Sequence, residues 1–313
     1  MTIERAFASA SDTLDQTSLT QVDSMVISNP PAGEYLAVFS CEIFTHSSAT
    51  DAQRTSFSIF VGGVEVDYTT RHYEEDSSIN NAYLPMFIAC EVNPNGSQDV
   101  EVRYIAASAS SPLLAYRREL LLFPAQDILQ DTDDVLDELS TASWTTVDTM
   151  TRTPPAGDYL VLFNSTIYGV SGDTIGMRIS VGGTPIAASR VEQFQESSWA
   201  DRDFPIMLCA SISPNGSQVV EIEWSRVTGS GTIGCKERTM LLIPTDAANI
   251  FQAVGVADDS DGTTTDKLID DDYQLLERHP SESNKSPESG YPQSNQRNQY
   301  PQTKPSSHLL LGQ

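Results

Sequence analysis

Hydrophobic residues along most of the chain occur in short runs or at every second position, which are the patterns of buried and half-buried β-strands. Residues 64–68 alternate strictly between an apolar or aromatic residue and an acidic one, whereas residues 35–44 are apolar almost throughout. Turn residues interrupt these runs at short intervals, and helical periodicity is scarce. The pattern therefore predicts antiparallel all-β structure.

The first part of the chain contains about seven such runs within about 105 residues, a density typical of an antiparallel β-sandwich. The predicted strands cover residues 20–28, 35–44, 56–61, 64–68, 84–92, 99–106 and 113–123. The Cys–Trp–Cys pattern of an immunoglobulin domain is absent, so a jelly roll is the favoured topology.

The same landmarks then return in the same order, about 120 residues later. A period of this length is too long for a solenoid unit and suits an independent fold, so the chain is predicted to be a tandem duplication of one domain. The matching segments are residues 30–36 with 154–160, 61–63 with 181–183, 94–98 with 214–218, and 118–124 with 238–244.

The duplication divides the chain into five predicted regions: an N-terminal extension at 1–17, a first repeat at 18–125, an acidic linker at 126–142, a second repeat at 143–245 and a C-terminal region at 246–313. The linker spacing is compatible with a short acidic helix or with a solvated connection. Residues 268–273 echo the opening strand, and residues 255–275 are interpreted as the stub of a third repeat. The rest of the tail is rich in Ser, Pro, Asn and Gln, which predicts a disordered or extended segment.

Recurring glycines and asparagines mark the predicted structural turns. Asn-Gly tolerates positive φ at both central positions of a type I′ turn, so both Asn-Gly pairs are predicted to close hairpins. The full set of turn positions is Gly33, Gly157, Gly62, Gly63, Gly182, Gly183, Asn95, Gly96, Asn215 and Gly216.

The order Pro-Pro-Ala-Gly-(Glu/Asp)-Tyr-Leu, then Val-Gly-Gly, then Asn-Gly-Ser-Gln resembles tumour-necrosis-factor-like jelly rolls. It looks most like the small versions repeated in structural proteins of tailed phages. The resemblance covers about 18–125 and 143–245. It implies two tandem jelly-roll sandwiches in a homo-oligomer, with the trimer as the common state of such modules.

The chain has a formal net charge of −25 and a pI near 4.2, which argues against nucleic acid or an anionic membrane as partner. This acidity is consistent with a salty environment or with genome composition. No run is long enough to span a bilayer, and residues 1–5 lack the layout of a signal peptide. Synthesis in the cytoplasm of a host is therefore expected.

Candidate chemistry is sparse. The four cysteines do not occupy matching positions and form no CxxC, so small buried thiols are expected rather than disulfides or a zinc site. The four histidines do not align between the repeats, and no GxSxG or HExxH motif is present. We therefore expect no enzyme activity, no metal and no cofactor.

Two pairs of arginines fall at similar places in the repeats, Arg71 with Arg190 and Arg118 with Arg238. In a lysine-poor acidic protein, guanidinium groups pair well with carboxylates, so these residues are predicted to form ion pairs inside or between subunits. The alternative is an ordinary exposed strand residue. Tyr73 and Trp199 lie in comparable predicted loops and are weak candidates for stacking on a sugar, each in one repeat only.

These features favour a virion structural protein that binds capsid or other virion proteins: a capsid decoration or cement protein, a turret or a head fibre. The alternatives are a receptor- or glycan-binding adhesin or tail-fibre protein and a double-jelly-roll capsid protein, for which the repeats are rather small.

Overall fold

A computed structural model describes residues 3–44, 53–75, 83–107, 113–170, 172–194 and 203–245. These residues form two β-sandwiches, and their only helical element of several residues is a short 3-10 turn at Ala187–Ser189. No helix among them is long and apolar enough to cross a membrane. The predicted all-β tandem fold is confirmed. The C-terminal region, with the proposed third-repeat stub and tail, lies outside the described residues.

Within the described residues, each sandwich contains ten strands. In the first they are β1 Glu4–Ala8, β2 Asp12–Leu14, β3 Thr20–Ile27, β4 Tyr35–Phe44, β5 Gln53–Val61, β6 Val64–Glu65, β7 Arg71–Glu75, β8 Tyr83–Val92, β9 Val100–Ala106 and β10 Leu113–Pro124. In the second they are β11 Leu129–Asp133, β12 Asp137–Leu139, β13 Thr145–Arg152, β14 Tyr159–Tyr168, β15 Thr174–Val181, β16 Thr184–Pro185, β17 Val191–Phe194, β18 Phe204–Ile212, β19 Val220–Thr228 and β20 Ile233–Pro244.

The two sandwiches share one antiparallel topology. In the first, one sheet has the order β1-β10-β4-β8 with β2 also on β10, and the other has the order β3-β9-β5-β6 with β7 on β5. The second sandwich repeats this as β11-β20-β14-β18 with β12 on β20, and β13-β19-β15-β16 with β17 on β15. Successive long strands cross from one sheet to the other, which is the jelly-roll connection.

Alternating side chains fill the core of each sandwich. On β4, Tyr35, Phe39 and Ile43 point inward with Ala37 and Cys41 and are almost completely buried. Phe39 meets Phe57 of the opposite sheet with 5.9 Å between ring centroids. A sandwich of this size depends on such paired inner faces for its stability.

All four cysteines are free thiols, three of them buried and Cys209 half-buried. Burial raises the pKa of Cys90 to about 12 and that of Cys235 to about 11. Both groups therefore remain neutral thiols near neutral pH, which makes them poor nucleophiles.

The segments predicted as an N-terminal extension and an acidic linker are instead strands of the sandwiches. β1 and β2 lie within 1–17 and pair with β10, while β11 and β12 lie within 126–142 and pair with β20. Neither the helix nor the solvated linker forms. Strands β10 and β20 are 12 residues long, and a partner on their outer side satisfies backbone groups that would otherwise form an open sheet edge.

The predicted Asn-Gly hairpins are also wrong. β8 and β9 on either side of Asn95-Gly96 belong to different sheets, and of these two residues only Gly96 has a positive φ, 87°. The Asn95 side chain accepts hydrogen bonds from the Ser97 N–H (3.0 Å) and hydroxyl (2.9 Å), and Asn215 makes the same bonds in the second sandwich. This is an Asx turn that carries the chain from one sheet to the other.

The two turn motifs recur together because they contact each other. The Gly33 N–H donates to the Pro94 carbonyl, and the Gly157 N–H donates to the Pro214 carbonyl, both at 3.2 Å. A Cβ added at Gly96 would lie 3.4 Å from the Ala32 nitrogen. Each Pro-Pro-Ala-Gly turn therefore packs against the Asn-Gly turn of its own sandwich.

The true two-residue hairpins are at Gly62-Gly63 and Gly182-Gly183. Val61 pairs with Val64 across the first, and both glycines have positive φ (57° and 80°), as a type I′ turn requires. A Cβ added at Gly62 would lie 2.7 Å from the side chain of Gln98. The recurrence of Val-Gly-Gly thus reflects both backbone conformation and a close side-chain contact.

We expect Gly62→Ala to lower the free energy of unfolding by about 1–2 kcal/mol, because alanine is strained at positive φ and its Cβ displaces Gln98. Urea denaturation measures the change. The control is Val64→Ala on the same hairpin, where a 70% exposed side chain should change stability by less than about 0.5 kcal/mol. Equal effects of the two substitutions would contradict this account of the turn.

Candidate interaction interface between the sandwiches

The second sandwich buries the outer face of one of its sheets against the first sandwich. On β14, Leu160, Leu162, Asn164 and Thr166 point away from their own core, yet all four are buried. We call this contact the joint. It is formed mainly by β7 and β8 of the first sandwich and by β14, β18 and β20 of the second.

The apolar part of the joint is a hydrophobic cluster separate from the two cores. Its buried members are Leu36, Ala89, Ala125, Ile128, Leu160, Leu162, Leu241 and Ile243, with Val38, Phe87, Phe123 and Cys209 packed against them. Removing this surface from water favours association of the sandwiches, but in a non-directional way. Polar contacts, which are directional, fix the orientation of one sandwich relative to the other.

Arg71 of β7 is fully buried in the joint. Its Nη2 donates to the Asn164 backbone carbonyl (3.0 Å), to Asn164 Oδ1 (2.5 Å) and to Thr239 Oγ1 (3.0 Å). Its Nη1 donates to the carbonyls of Tyr68 (2.9 Å) and Thr70 (2.7 Å) in its own sandwich. One guanidinium therefore ties the two sandwiches together, through neutral acceptors rather than the predicted carboxylate.

Arg71 remains charged in this environment. Burial lowers its pKa to about 10, while the negative charge of Glu237 acts in the opposite direction. A pKa near 10 leaves the guanidinium protonated at neutral pH. The joint thus encloses a positive charge that carbonyl and hydroxyl oxygens must stabilise.

Asn164 completes this arrangement by pairing with the backbone of β8. Its Nδ2 donates to the Ala89 carbonyl at 3.0 Å, and its Oδ1 also accepts from the Ala89 N–H at 3.4 Å. Thr239 Oγ1 in turn donates to the Tyr68 carbonyl at 3.2 Å. The side chains around Arg71 therefore bind one another across the joint and leave little freedom for sliding.

His72 lies at the rim of the joint between a hydroxyl and a carboxylate. Its Nδ1 is 2.5 Å from Ser56 Oγ, its Nε2 contacts Glu237, and its backbone N–H donates to Thr166 Oγ1 at 3.2 Å. Thr166 Oγ1 also donates to Glu237 at 3.1 Å. The hydroxyl–imidazole–carboxylate order is that of a hydrolytic relay. Here both ring nitrogens face partners between two sheets, so the groups close the rim against water.

Asp203 forms a second polar contact at the rim. It accepts from Lys236 Nζ at 2.9 Å and lies 3.5 Å from Arg54 of the first sandwich. Its carbonyl accepts from the Glu74 N–H at 3.1 Å, so the edge of β7 is hydrogen-bonded to the second sandwich.

The structure does not support Tyr73 as a sugar-stacking residue. Tyr73 belongs to β7, is 1% exposed, and its ring lies edge-on to that of Phe204 with 6.4 Å between centroids. The predicted loop position is wrong, because Tyr73 lies in β7, on the same side of the strand as Arg71, and packs against Phe204 of the second sandwich. Trp199, the other candidate, lies outside the described residues.

Arg71 and Arg190 are not equivalent. The Thr69 hydroxyl bonds to the backbone of Ile59 and Val66, and the Ser189 hydroxyl bonds in the same way to the backbone of Ile179 and Ile186. Thr69 and Ser189 are therefore equivalent positions, and they fix how the two repeats align in this region. The counterpart of Arg71 is then Val191, which pairs with Met177 as Arg71 pairs with Phe57.

Arg190 lies on the surface instead of in a joint. It is half exposed, pairs with Glu192, and lies 5.5 Å from the ring of Trp144. The one-residue offset places it on the opposite side of the strand from Arg71 and changes its role.

Arg118 and Arg238 are equivalent and fully buried, each within its own sandwich. Each follows a residue of positive φ at a β-bulge, Arg117 and Glu237, and donates to the carbonyl three residues earlier. Carboxylates of Asp23 and Asp133 lie 3.6 and 3.1 Å from the respective guanidinium groups. These arginines anchor the bulged last strands.

Most of the joint has no strong signal in the sequence. Ser56, His72 and Asn164 are ordinary strand residues and Glu237 lies at a β-bulge, and their meeting depends on the packing of two sandwiches. The one available signal is the apolar character of positions that should face solvent, such as Leu160 and Leu162.

Comparisons with known proteins leave the family open. No protein-family model and no curated protein matches the chain. Among solved structures, the tandem CBM22-1–CBM22-2 domains of Paenibacillus barcinonensis Xyn10C match at 7% identity over 77% of this chain and 93% of that one, with a TM-score of 0.26. The infectious bursal disease virus T13 particle protein matches at 9% identity over 79% and 70%, with a TM-score of 0.28. These values are too low to assign the chain to either protein's family.

We expect Arg71→Met to lower the free energy of unfolding by about 3 kcal/mol. The substitution keeps an apolar stem but leaves the Asn164, Thr239 and Tyr68 oxygens short of a donor in a buried site. Urea denaturation with linear extrapolation measures the loss.

The matched control is Arg190→Met, which removes a half-exposed surface pair and should cost less than about 0.5 kcal/mol. Comparable losses for the two variants would show that Arg71 does not hold the joint.

Proposed function

We propose that this chain is a non-enzymatic structural protein of a virus particle, of the capsid decoration or cement, turret or head-fibre kind. It assembles through the side faces of its jelly rolls. The observation that carries the proposal is the joint, in which the outer faces of two sheets, one from each sandwich, pack together with strand β7 beside them. A protein built in this way binds its partners through the complementary shape and large area of its surfaces.

The joint supports a positional role because it fixes the distance and angle between two sandwiches. Its apolar cluster is combined with a buried charge and paired side chains, which allow one arrangement rather than many. A rigid pair of sandwiches presents binding faces at a fixed spacing, which is what attachment to a regular lattice requires.

The charge of the chain is consistent with this role. With a formal net charge of −25, it is repelled by packaged nucleic acid and remains soluble before assembly. The glycan-binding alternative is weakened because Tyr73, one of its two candidate residues, is buried.

The direct test is quantitative mass spectrometry of virus particles, purified on a density gradient, from the source that carries this gene. We expect the chain to co-purify with the major capsid protein. A ratio of about one or about one-third indicates decoration, as symmetric lattices imply, and a few copies indicate a fibre or turret.

An abundant soluble protein of the same lysate serves as the contamination control. If this chain is no more enriched in the particles than that control, the proposed function is wrong.

A further inference from the structure

A β-bulge in β10 places two consecutive side chains on the outer surface of the first sandwich. In a regular strand, neighbouring side chains point to opposite faces of the sheet. In β10 the register shifts between Tyr116 and Glu119, and Arg117 has a φ of 46°. The Arg118 side chain therefore turns inward and is fully buried, while Tyr116 and Arg117 line the same outer surface. Bulges often redirect side chains in this way beside functional sites.

In the second sandwich, the equivalent bulge takes part in binding. Lys236 and Glu237 are the counterparts of Tyr116 and Arg117, because β14 and β20 repeat the register of β4 and β10. Glu237 contacts His72 of the first sandwich, and Lys236 belongs to the second polar contact at the rim of the joint. The bulge therefore presents side chains to a partner in the one repeat where that partner is known.

In the first sandwich, the side chains that the bulge presents line an open depression instead. The depression has a volume of about 490 Å³ and is lined by Ser9, Glu42, Tyr116 and Arg117. Three neighbouring strands contribute to it: Ser9 follows β1, Glu42 lies on β4, and the other two residues lie on β10. Its volume falls within the range of sites that bind small ligands.

The polar wall of the depression is an ion pair with donors and acceptors to spare. Arg117 Nη1 donates to Glu42 Oε1 at 2.7 Å. The side chains of Arg117 and Glu42 are 74% and 33% exposed, so other guanidinium N–H groups and carboxylate lone pairs remain accessible to a ligand. A donor and an acceptor therefore lie side by side, and their charges balance.

The aromatic wall of the depression is the half-buried ring of Tyr116. Tyr116 lies directly opposite Glu42 in the ladder between β10 and β4. Its ring stands edge-on to that of Phe44, with 6.1 Å between centroids and an angle of 88° between planes. This contact helps to hold the ring in one orientation, next to the ion pair.

This lining selects the chemistry of a ligand. An anion would meet the Glu42 carboxylate and a chain of net charge −25, whereas a cation would meet Arg117. An apolar ligand would remove water from the ion pair without replacing its hydrogen bonds. A sugar ring satisfies the lining, because its C–H face stacks on an aromatic ring while its hydroxyls donate to a carboxylate and accept from a guanidinium.

We propose that the depression is a binding site for a neutral saccharide. Tyr116 is the stacking residue, and Glu42 and Arg117 bind adjacent hydroxyls of the sugar. The site goes beyond the proposed function, because it adds glycan recognition to a structural role. It also differs from the sugar site expected at Tyr73, which is buried.

A glycan array that carries neutral, sialylated and sulfated oligosaccharides tests the proposal with the full chain. We expect binding to a subset of the neutral glycans and none to their sialylated or sulfated forms. Saturation-transfer NMR with the free neutral oligosaccharide that binds best then gives its Kd. A chain that binds none of the neutral glycans, or binds only acidic ones, would overturn the proposal.

The stacking role is tested by Tyr116→Ala, which should raise the Kd for that oligosaccharide by at least about 10-fold because the apolar wall is lost. The matched control is Phe194→Ala, which removes a 52% exposed aromatic side chain from the second sandwich and should leave the Kd unchanged. Equal effects of the two substitutions would refute the site. Far-ultraviolet circular dichroism and the urea midpoint establish that both variants are folded.

The hydroxyl-binding role is tested by Glu42→Gln, which keeps the shape of the side chain but removes its charge. We expect the Kd to rise by about 10-fold, because hydrogen bonds to a charged acceptor are the stronger ones. Glu192→Gln is the matched control, since Glu192 forms the equivalent kind of surface pair with Arg190 and should not affect binding. A Glu42→Gln chain that binds as tightly as this control would contradict the assignment.

The saccharide site and the virion role fail separately. A chain that is enriched in virus particles but binds no neutral glycan overturns the site and leaves the structural role standing. A chain that binds neutral glycans through Tyr116 but is absent from particles does the reverse.

Discussion

The buried guanidinium of Arg71 is the constraint on which the arrangement of the two sandwiches depends. A charge taken out of water must be stabilised by properly placed acceptors, and removal of those acceptors is costly. The acceptors come from both sides: the Tyr68 and Thr70 carbonyls from the first sandwich, and Asn164 and Thr239 from the second. Small displacements of one sandwich would break several of these bonds together, so the joint is stable in one geometry.

The sequence predicts the fold well because its signals are local. Alternation along the strands, Val-Gly-Gly at the hairpins and the two paired turn motifs each arise within one sandwich, and each is present twice. Short polar strands such as β11 and β12 carry no comparable signal. Their side chains do not alternate clearly, and they form strands because their backbones pair with β20. The Asn-Gly hairpins are misplaced for a different reason. An Asx turn between sheets and a hairpin turn use the same residues, so the sequence does not distinguish them.

The joint could not be predicted from the same signals. Arg71 and Arg190 look interchangeable in the sequence, but a shift of one residue along a strand moves a side chain to the other face. The divergence between the repeats becomes intelligible only when the contact is known. Asn164 and Thr239, which accept hydrogen bonds from Arg71, are the counterparts of Ser40 and Glu119 in the first repeat. What the repeats share builds each sandwich, and what they do not share orients one against the other.

The central claim is that the joint makes the two sandwiches one cooperative structure. Differential scanning calorimetry of the intact chain tests this most directly, because a cooperative unit unfolds with equal calorimetric and van't Hoff enthalpies. The account predicts a single transition with a ratio of the two enthalpies close to one. Two resolved transitions, or a ratio of about two, would show that the sandwiches unfold independently and would contradict it.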